Sequence, residues 1–252
     1  MNTPEYFKDF EKEIREVYSV AEKARAKGLD PADKVETPLA RSLAEKVVGL
    51  IVTIYPQMKD VGIAERIIEL EKEYGKLDPA VCLQIAEEVA KQKFCQFSSL
   101  LQAIDAGSRI GFAYITLGVV SSPIEGLTEI KIAKTKDGKE YFSPYYSGPV
   151  RSAGGTGAAF SLVIIDYLRE LFGFEKYDPT EDEIKRAVTE LVDYHEKITN
   201  LQYMPTEEET IFLMRNIPVQ INGEASEKLE VSNYKNLERI ETNFIRSGFC
   251  LT

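Results

Sequence analysis

Histidine and cysteine are scarce in this chain of 252 residues: there is one histidine, His195, and there are three cysteines, Cys82, Cys95 and Cys250. A Cys/His metal site or a Ser-His-Asp triad would have to be assembled around that single imidazole, and no pair of cysteines has zinc-ligand spacing. The cysteines are odd in number and far apart, which points to reduced buried thiols rather than a disulfide framework. Long apolar runs are missing as well. The longest, Val47 to Tyr55, contains Gly49 and Thr53 and stops at Pro56, well short of the roughly 20 residues of a membrane span. No basic stretch followed by an apolar one opens the chain, so the expected compartment is cytoplasmic. Basic charge is not in excess either. The net charge of −10 argues against a protein that coats nucleic acid nonspecifically, while leaving room for a local basic site on an acidic body. No Gly-Lys-Ser/Thr ending and no Gly-x-Gly-x-x-Gly order occur, so neither a P-loop nor a Rossmann fingerprint is present. Nor is there an Asp-x-Asp pair of the kind that bridges two magnesium ions.

What is there reads as a folded protein with a sizeable core, in one large domain or two smaller ones: 44% of residues are hydrophobic and 29% charged. The first hundred residues read as helices. Thr3-Pro4, Asp30-Pro31, Thr37-Pro38 and Asp78-Pro79 each set a capping oxygen before a proline suited to a first helical turn. In the first helix Phe7, Phe10, Ile14, Val17, Ala21 and Ala24 form a seam at helical spacing, with a hinge expected at Lys27-Gly28-Leu29-Asp30. Such a seam packs on its own domain or on a partner helix, including a second copy. Further helices are predicted over Pro38–Tyr55, Val61–Tyr74, Pro79–Phe94 and Ser98–Arg109. None carries a chemical motif.

After Gly111 the pattern changes. Phe112 to Val120 fits either a buried strand or a continuation of the preceding helix. Glu129 to Thr135 alternates, with Ile130 and Ile132 on one face, Lys136-Asp137-Gly138-Lys139 is a hairpin turn, and Glu140 to Ser147 returns as the partner strand. An apolar helix follows from about Ala158 to Phe172 and is expected in the core. Thr180 with Glu183, and Thr206 with Glu209, fit capping boxes, so the acidic runs there complement helix dipoles and need no metal. His195 falls inside the first of these helices, and no nucleophile motif accompanies it. Strand-like segments return at Pro218–Ile221, before an Asn222-Gly223 turn, and at Leu229–Ser232. The fold class is therefore α+β. An N-terminal helical region precedes a mixed β-hairpin and helix region, with boundaries at 1–30 (an assembly element), 31–110 (helical) and 111–252 (α+β). The apolar end, Phe249-Cys250-Leu251-Thr252, reads as a break inside a longer protein.

Two stretches could bind an anion. Tyr145 to Gly157 leaves a strand and enters a helix through Arg151-Ser152-Ala153-Gly154-Gly155-Thr156. Its glycines uncover backbone N–H groups, the helix contributes its positive end, and Arg151 adds a forked charge. Arg151, Ser152, Gly154, Gly155 and Thr156 are the candidate phosphate ligands. The alternative is a tight connection with no ligand, its arginine paired to Glu140 or Asp166. Arg239, Asn243 and Arg246 form a second candidate cluster, unless Glu238 and Glu241 neutralise the arginines.

Several of these motifs together resemble one family. Ser147-Gly148-Pro149-Val150-Arg151-Ser152-Ala153-Gly154-Gly155-Thr156 comes first, followed by Asp193-Tyr194-His195-Glu196 with Thr199-Asn200-Leu201-Gln202-Tyr203. Next are Pro218-Val219-Gln220-Ile221-Asn222-Gly223-Glu224, Glu230-Val231-Ser232 and Glu238-Arg239-Ile240-Glu241-Thr242-Asn243. With Ile104-Asp105-Ala106-Gly107 and Phe112 to Pro123, they resemble in order the N-terminal part of the large subunit of archaeal family D DNA polymerase. Gly157 after Thr156, and Ser247 where the family often has a second glycine, depart from that pattern. The resemblance implies a replicative polymerase whose magnesium-binding double-psi β-barrels lie far downstream, so this chain would hold no catalytic residues, metal or cofactor. It also implies DNA, a small exonuclease subunit and the sliding clamp as partners, and no membrane. Other classes that fit the residues are a self-contained enzyme binding a phosphorylated small molecule at Arg151, and a structural helical interaction module.

Overall fold

A computed structural model describes residues 3–29, 40–119, 122–148 and 155–249. The chain divides into two compact units, Met1–Leu39 and Ala40–Thr252. In the first, α1 (Thr3–Arg25) forms where the seam predicts it and ends before Gly28, whose φ is 76°. Phe10, Val17 and Val20 stay exposed on its surface. The capping signals at Asp30 and Thr37 lie outside the described residues.

The second unit opens with α2 (Leu43–Val52), α3 (Ile63–Tyr74), α4 (Pro79–Ala90) and α5 (Leu100–Ile115). Ser42 and Ser99 cap α2 and α5 by accepting the backbone N–H of Glu45 and Gln102, and Asp78 does the same for α4 through Ala80. The ambiguous run after Gly111 resolves as helix: α5 continues to Ile115, and every residue from Ala103 to Tyr114 is buried. Glycine makes that depth accessible. A Cβ at Gly107 would stand 2.5 Å from the Ala86 carbonyl oxygen, and one at Gly111 would meet Cys82 at 3.1 Å. The Gly-x-x-x-Gly face thus lets α5 lie against the backbone of α4, which makes α5 the axis of the unit.

A two-stranded antiparallel sheet follows, β1 (Leu127–Lys134) and β2 (Glu140–Tyr146), turning at Gly138 with φ 80°. Every β2 residue from Tyr141 to Tyr146 is buried, so both faces are covered. Phe142 and Tyr146 enter one apolar cluster with α2 to α5, and Tyr141 enters a second one with Ile184, Leu191 and Phe249. On β1, Ile130 is buried but Ile132 is exposed, so the expected shared face is buried at one end only.

Next are α6 (Gly155–Leu171), α7 (Glu181–Lys197) and α8 (Glu207–Asn216), giving eight α-helices among the described residues. Both expected capping boxes form, Thr180 with Glu183 and Thr206 with Glu209. The strands expected at Pro218–Ile221 and Leu229–Ser232 do not. Instead, residues 220–222 lie along the free edge of β2: Gln220 N–H donates to the Phe142 carbonyl, Asn222 N–H to Pro144, and Tyr146 N–H to Asn222. Pro144 has no N–H to give, so this edge makes single bridges and not a full ladder. No helix among the described residues is long and apolar enough to cross a membrane.

Candidate phosphate and nucleic-acid interface

The glycine-rich stretch is tied down at both ends. At its entry, Ser147 N–H donates to the Gly126 carbonyl at 2.8 Å, and the Ser147 hydroxyl donates to the carbonyl of Glu125. Two glycines close on the same point from the C-terminal segment. A Cβ at Gly248 would lie 1.9 Å from the Tyr146 carbonyl oxygen, and one at Gly223 would lie 2.6 Å from it. Gly223 therefore serves close backbone approach rather than the hairpin turn that Asn222-Gly223 suggests. At the exit, Gly155 and Thr156 form the first residues of α6, both exposed, with Gly155 at φ 47°. Tyr146 links the two ends: its hydroxyl meets that of Ser161 on α6 at 2.7 Å, both side chains buried. Burial pushes the Tyr146 phenol well above its ordinary pKa, which keeps it neutral. The strand end and the helix that flank residues 149–154 are thus bonded to each other. Arg151, Ser152 and Gly154 lie outside the described residues. Asp166, one of the two internal partners considered for Arg151 beside Glu140, is engaged by Arg169 at 2.6 Å.

The second cluster is built differently from its reading in sequence. Arg246 is 1% exposed. Its guanidinium grips Glu190 of α7 at 2.5 Å and donates to Asn222 Oδ1 at 2.6 Å. Arg186, also buried, approaches Glu190 at 3.3 Å and gives its other N–H groups to the carbonyls of Tyr234, Thr242 and Phe244. Burial and the nearby Arg246 push the Arg186 pKa down, whereas burial of Arg246 is outweighed by Glu190 and its pKa rises. Arg239 is bidentate to Glu183 at 2.9 and 2.6 Å and reaches Asp178 at 2.5 Å. Asn243 exchanges two hydrogen bonds with Asn236, a residue at φ 58°. Glu238 and Glu241 are not the neutralising groups; Glu241 pairs with Lys131 at 2.9 Å. The carboxylates come from α7 and the turn before it, 56 to 61 residues upstream in the chain, because α7 packs beneath this loop. The two arginines engage different carboxylates and do not converge on one anion.

Beside Arg239 lies a cleft of about 670 Å³ between the hairpin and residues 236–241. Lys131, Lys134, Lys136 and Arg239 face it, together with Asp182 and Glu238, so its walls carry both signs. Lys131 sits 4.1 Å from the centre of the Tyr145 ring.

His195 has a structural place: its Nδ1 accepts the Leu201 N–H at 3.0 Å, closing the turn after α7. Cys82 is a buried free thiol, raised in pKa by burial, and Cys95 is also free. One buried ion pair has no counterpart in the sequence reading. Arg109 pairs with Asp105 at 2.6 Å and donates to the carbonyls of Pro123, Leu127 and Thr128, fastening α5 to the start of β1. Tyr55 donates its hydroxyl to the same Asp105. The signal available in sequence was an Asp and an Arg four residues apart on an otherwise apolar helix.

Comparison with known sequences places this helical body in a defined family. The sequence profile described as DNA polymerase II large subunit DP2, N-terminal, matches residues 5–252, and the chain belongs to that family. Relatives named DNA polymerase II large subunit include one from Nanoarchaeum equitans (strain Kin4-M), 49% identical over 98% of this chain and 20% of its own length. One from Methanosarcina barkeri (strain Fusaro / DSM 804) is 41% identical over 98% of this chain and 21% of its own. Another, from Thermococcus kodakarensis (strain ATCC BAA-918 / JCM 12380 / KOD1), is 40% identical over 98% of this chain and 13% of its own. The chain thus spans about a fifth or less of the relatives it matches.

Proposed function

We propose that this chain is the non-catalytic N-terminal part of the large subunit of a replicative archaeal DNA polymerase, and that it serves subunit assembly and DNA positioning. The family match over residues 5–252 carries this reading. The complete protein would perform template-directed DNA synthesis in the cytoplasm, with magnesium held by carboxylates downstream. A small subunit would supply 3'-5' exonuclease activity, and the sliding clamp would be a further partner. The sequence contains no Asp-x-Asp pair, so the purified chain is expected to give no magnesium-dependent primer extension. Extension that survives controls for contamination would contradict this.

DNA positioning rests on the clamped turn. The described ends of that stretch, Ser147 bonded to Gly126 and the N-terminus of α6, flank the candidate residues, and a helix N-terminus beside an arginine is what an anion site needs. Engagement of Asp166 by Arg169 removes one internal competitor for Arg151. Assembly rests on α1. Its exposed Tyr6, Phe10, Val17 and Val20 offer apolar area to a partner helix, whether of another subunit or a second copy. Deleting residues 1–27 from the large subunit and weighing it by light scattering, with and without the small subunit, tests this half. A loss of mass is expected, and unchanged masses in both mixtures would contradict it.

A further inference from the structure

The outer edge of the β-hairpin has no part in the proposed roles. β2 has a neighbour on each side, β1 on one and residues 220–222 on the other. The Phe142 and Pro144 carbonyls and the Tyr146 N–H go to residues 220–222, so Tyr141, Ser143 and Tyr145 bond toward β1. Their partners there are Ala133, Lys131 and Glu129, and the Thr135 N–H continues the row by donating to Lys139. Odd-numbered residues of β1 therefore face β2, and the N–H and C=O of Ile130, Ile132 and Lys134 point away from it. Nearer the start of the strand, Arg109 takes the Leu127 and Thr128 carbonyls. The backbone groups of Ile132 and Lys134 have no hydrogen-bond partner among the described residues. Ile132 is 39% exposed, and Lys134 is exposed with no ion pair among the described residues. The cleft beside Arg239 reaches this edge, since residues 131–136 form one of its walls. Ser143, Gln220 and Asn222, three buried polar side chains, also line it.

We propose that β1 takes up an extended, acidic segment of a partner polypeptide as an added strand. The backbone selects a peptide over nucleic acid. A phosphate accepts hydrogen bonds but gives none, so it would leave the Ile132 and Lys134 carbonyls unpaired, whereas a peptide strand donates and accepts in alternation. Charge selects the kind of peptide. Lys134 and Lys136 stand exposed along the edge and favour carboxylates across from them. The same lysines disfavour a second copy, because pairing β1 with another β1 would bring both sets to one seam. The two faces of the strand then set the pattern. Ile132 and Lys134 share one face, while Lys131, Ser143 and Tyr145 share the other with the cleft. The matching segment is polar on its cleft face. On its opposite face it is apolar against Ile132 and acidic against Lys134, and this difference between the faces holds it in register.

The test titrates the full-length large subunit, with its small subunit, into a fluorescent peptide of sequence Thr-Val-Thr-Glu-Thr-Glu-Thr and reads anisotropy. Ile132→Pro removes the outward N–H and leaves the bonds between β1 and β2 in place, so binding should weaken at least about fivefold. Lys134→Glu should weaken the acidic peptide and strengthen one with lysine in place of glutamate. Two further peptides, N-methylated on alternate residues, ask the same question without altering the protein. Methylation of the set whose N–H groups face β1 should abolish binding, and methylation of the other set should leave it unchanged. Equal losses from both sets would overturn the proposal, as would no binding of the unmodified peptide up to about 1 mM. A Lys134→Glu variant that loses affinity for a DNA duplex while holding the peptide as before would assign the edge to nucleic acid and overturn it. So would self-association of the large subunit, read by light scattering, that Ile132→Pro abolishes, since the edge would then belong to a second copy.

Discussion

Arginine geometry decides most of what individual residues do here. Arg109, Arg186, Arg239 and Arg246 each satisfy a carboxylate and, for three of them, backbone carbonyls that would otherwise lie buried without donors. A planar fork can do this and a lysine ammonium cannot. Arg109→Ala would strand Asp105 and three carbonyls, and a loss of about 3–5 kcal/mol is expected in denaturant unfolding, with Arg109→Lys recovering only part of it. A loss near zero would mean that water takes over the role. Asp193 supplies a pH test. Burial raises its pKa, but hydrogen bonds from Lys197 and from the Ser232 N–H and hydroxyl outweigh it, and the net shift is downward. A depressed pKa contributes stability that is complete above the unfolded value of about 3.9 and is lost as pH falls through the lower folded value. Asp193→Asn should therefore destabilise the protein at neutral pH and flatten the acid limb of its stability curve. A parallel acid limb would contradict the assignment. The partners of Arg239 and Arg246 were not legible in sequence, because they come from α7 and the turn before it. A charge census of neighbours named Glu238 and Glu241 instead.

Secondary-structure elements were far more legible, for physical reasons. Caps are local, so Thr180 with Glu183, Thr206 with Glu209 and Asp78-Pro79 each mark a helix start correctly. Thr180→Ala and Thr206→Ala should each cost about 1 kcal/mol, read as a fall in melting temperature. Where an element depends on a distant neighbour, the pattern fails. The strand expected near 219 needs an edge that can donate, and Pro144 in β2 withholds one, while the segment near 230 makes only a single bridge, to Phe244. Phe112 to Ile115 is helical because Gly107 and Gly111 sink α5 against α4, a contact invisible to local periodicity. The clamp on the glycine-rich turn is an element-scale device of the same kind. Gly248→Ala would drive a Cβ into the Tyr146 carbonyl, so a loss of at least about 1–3 kcal/mol is expected, together with weaker DNA binding. A stable variant that binds DNA normally would show that the approach of residue 248 does not position the turn.

Across the whole molecule the charge is −10, which sharpens the meaning of any basic group left over. The buried arginines are spent on internal carboxylates, and the cleft beside Arg239 carries charges of both signs. The order of the motifs along the chain, more than any one turn, made the family legible, and the profile match over residues 5–252 agrees with it. Which residues would meet DNA under the proposed function was not legible, because phosphate contacts depend on donors converging in space. Arg151 is where the account can be tested most directly. In the complete two-subunit polymerase, DNA binding by wild type and Arg151→Ala is titrated against salt. The account predicts a loss of about 1–3 kcal/mol, as for a charge-assisted hydrogen bond, and a salt dependence shallower by about one phosphate contact. A mutant with unchanged melting temperature, affinity and salt slope would contradict it. So would one whose melting temperature falls while its slope stays the same, since that is the signature of an internal salt bridge.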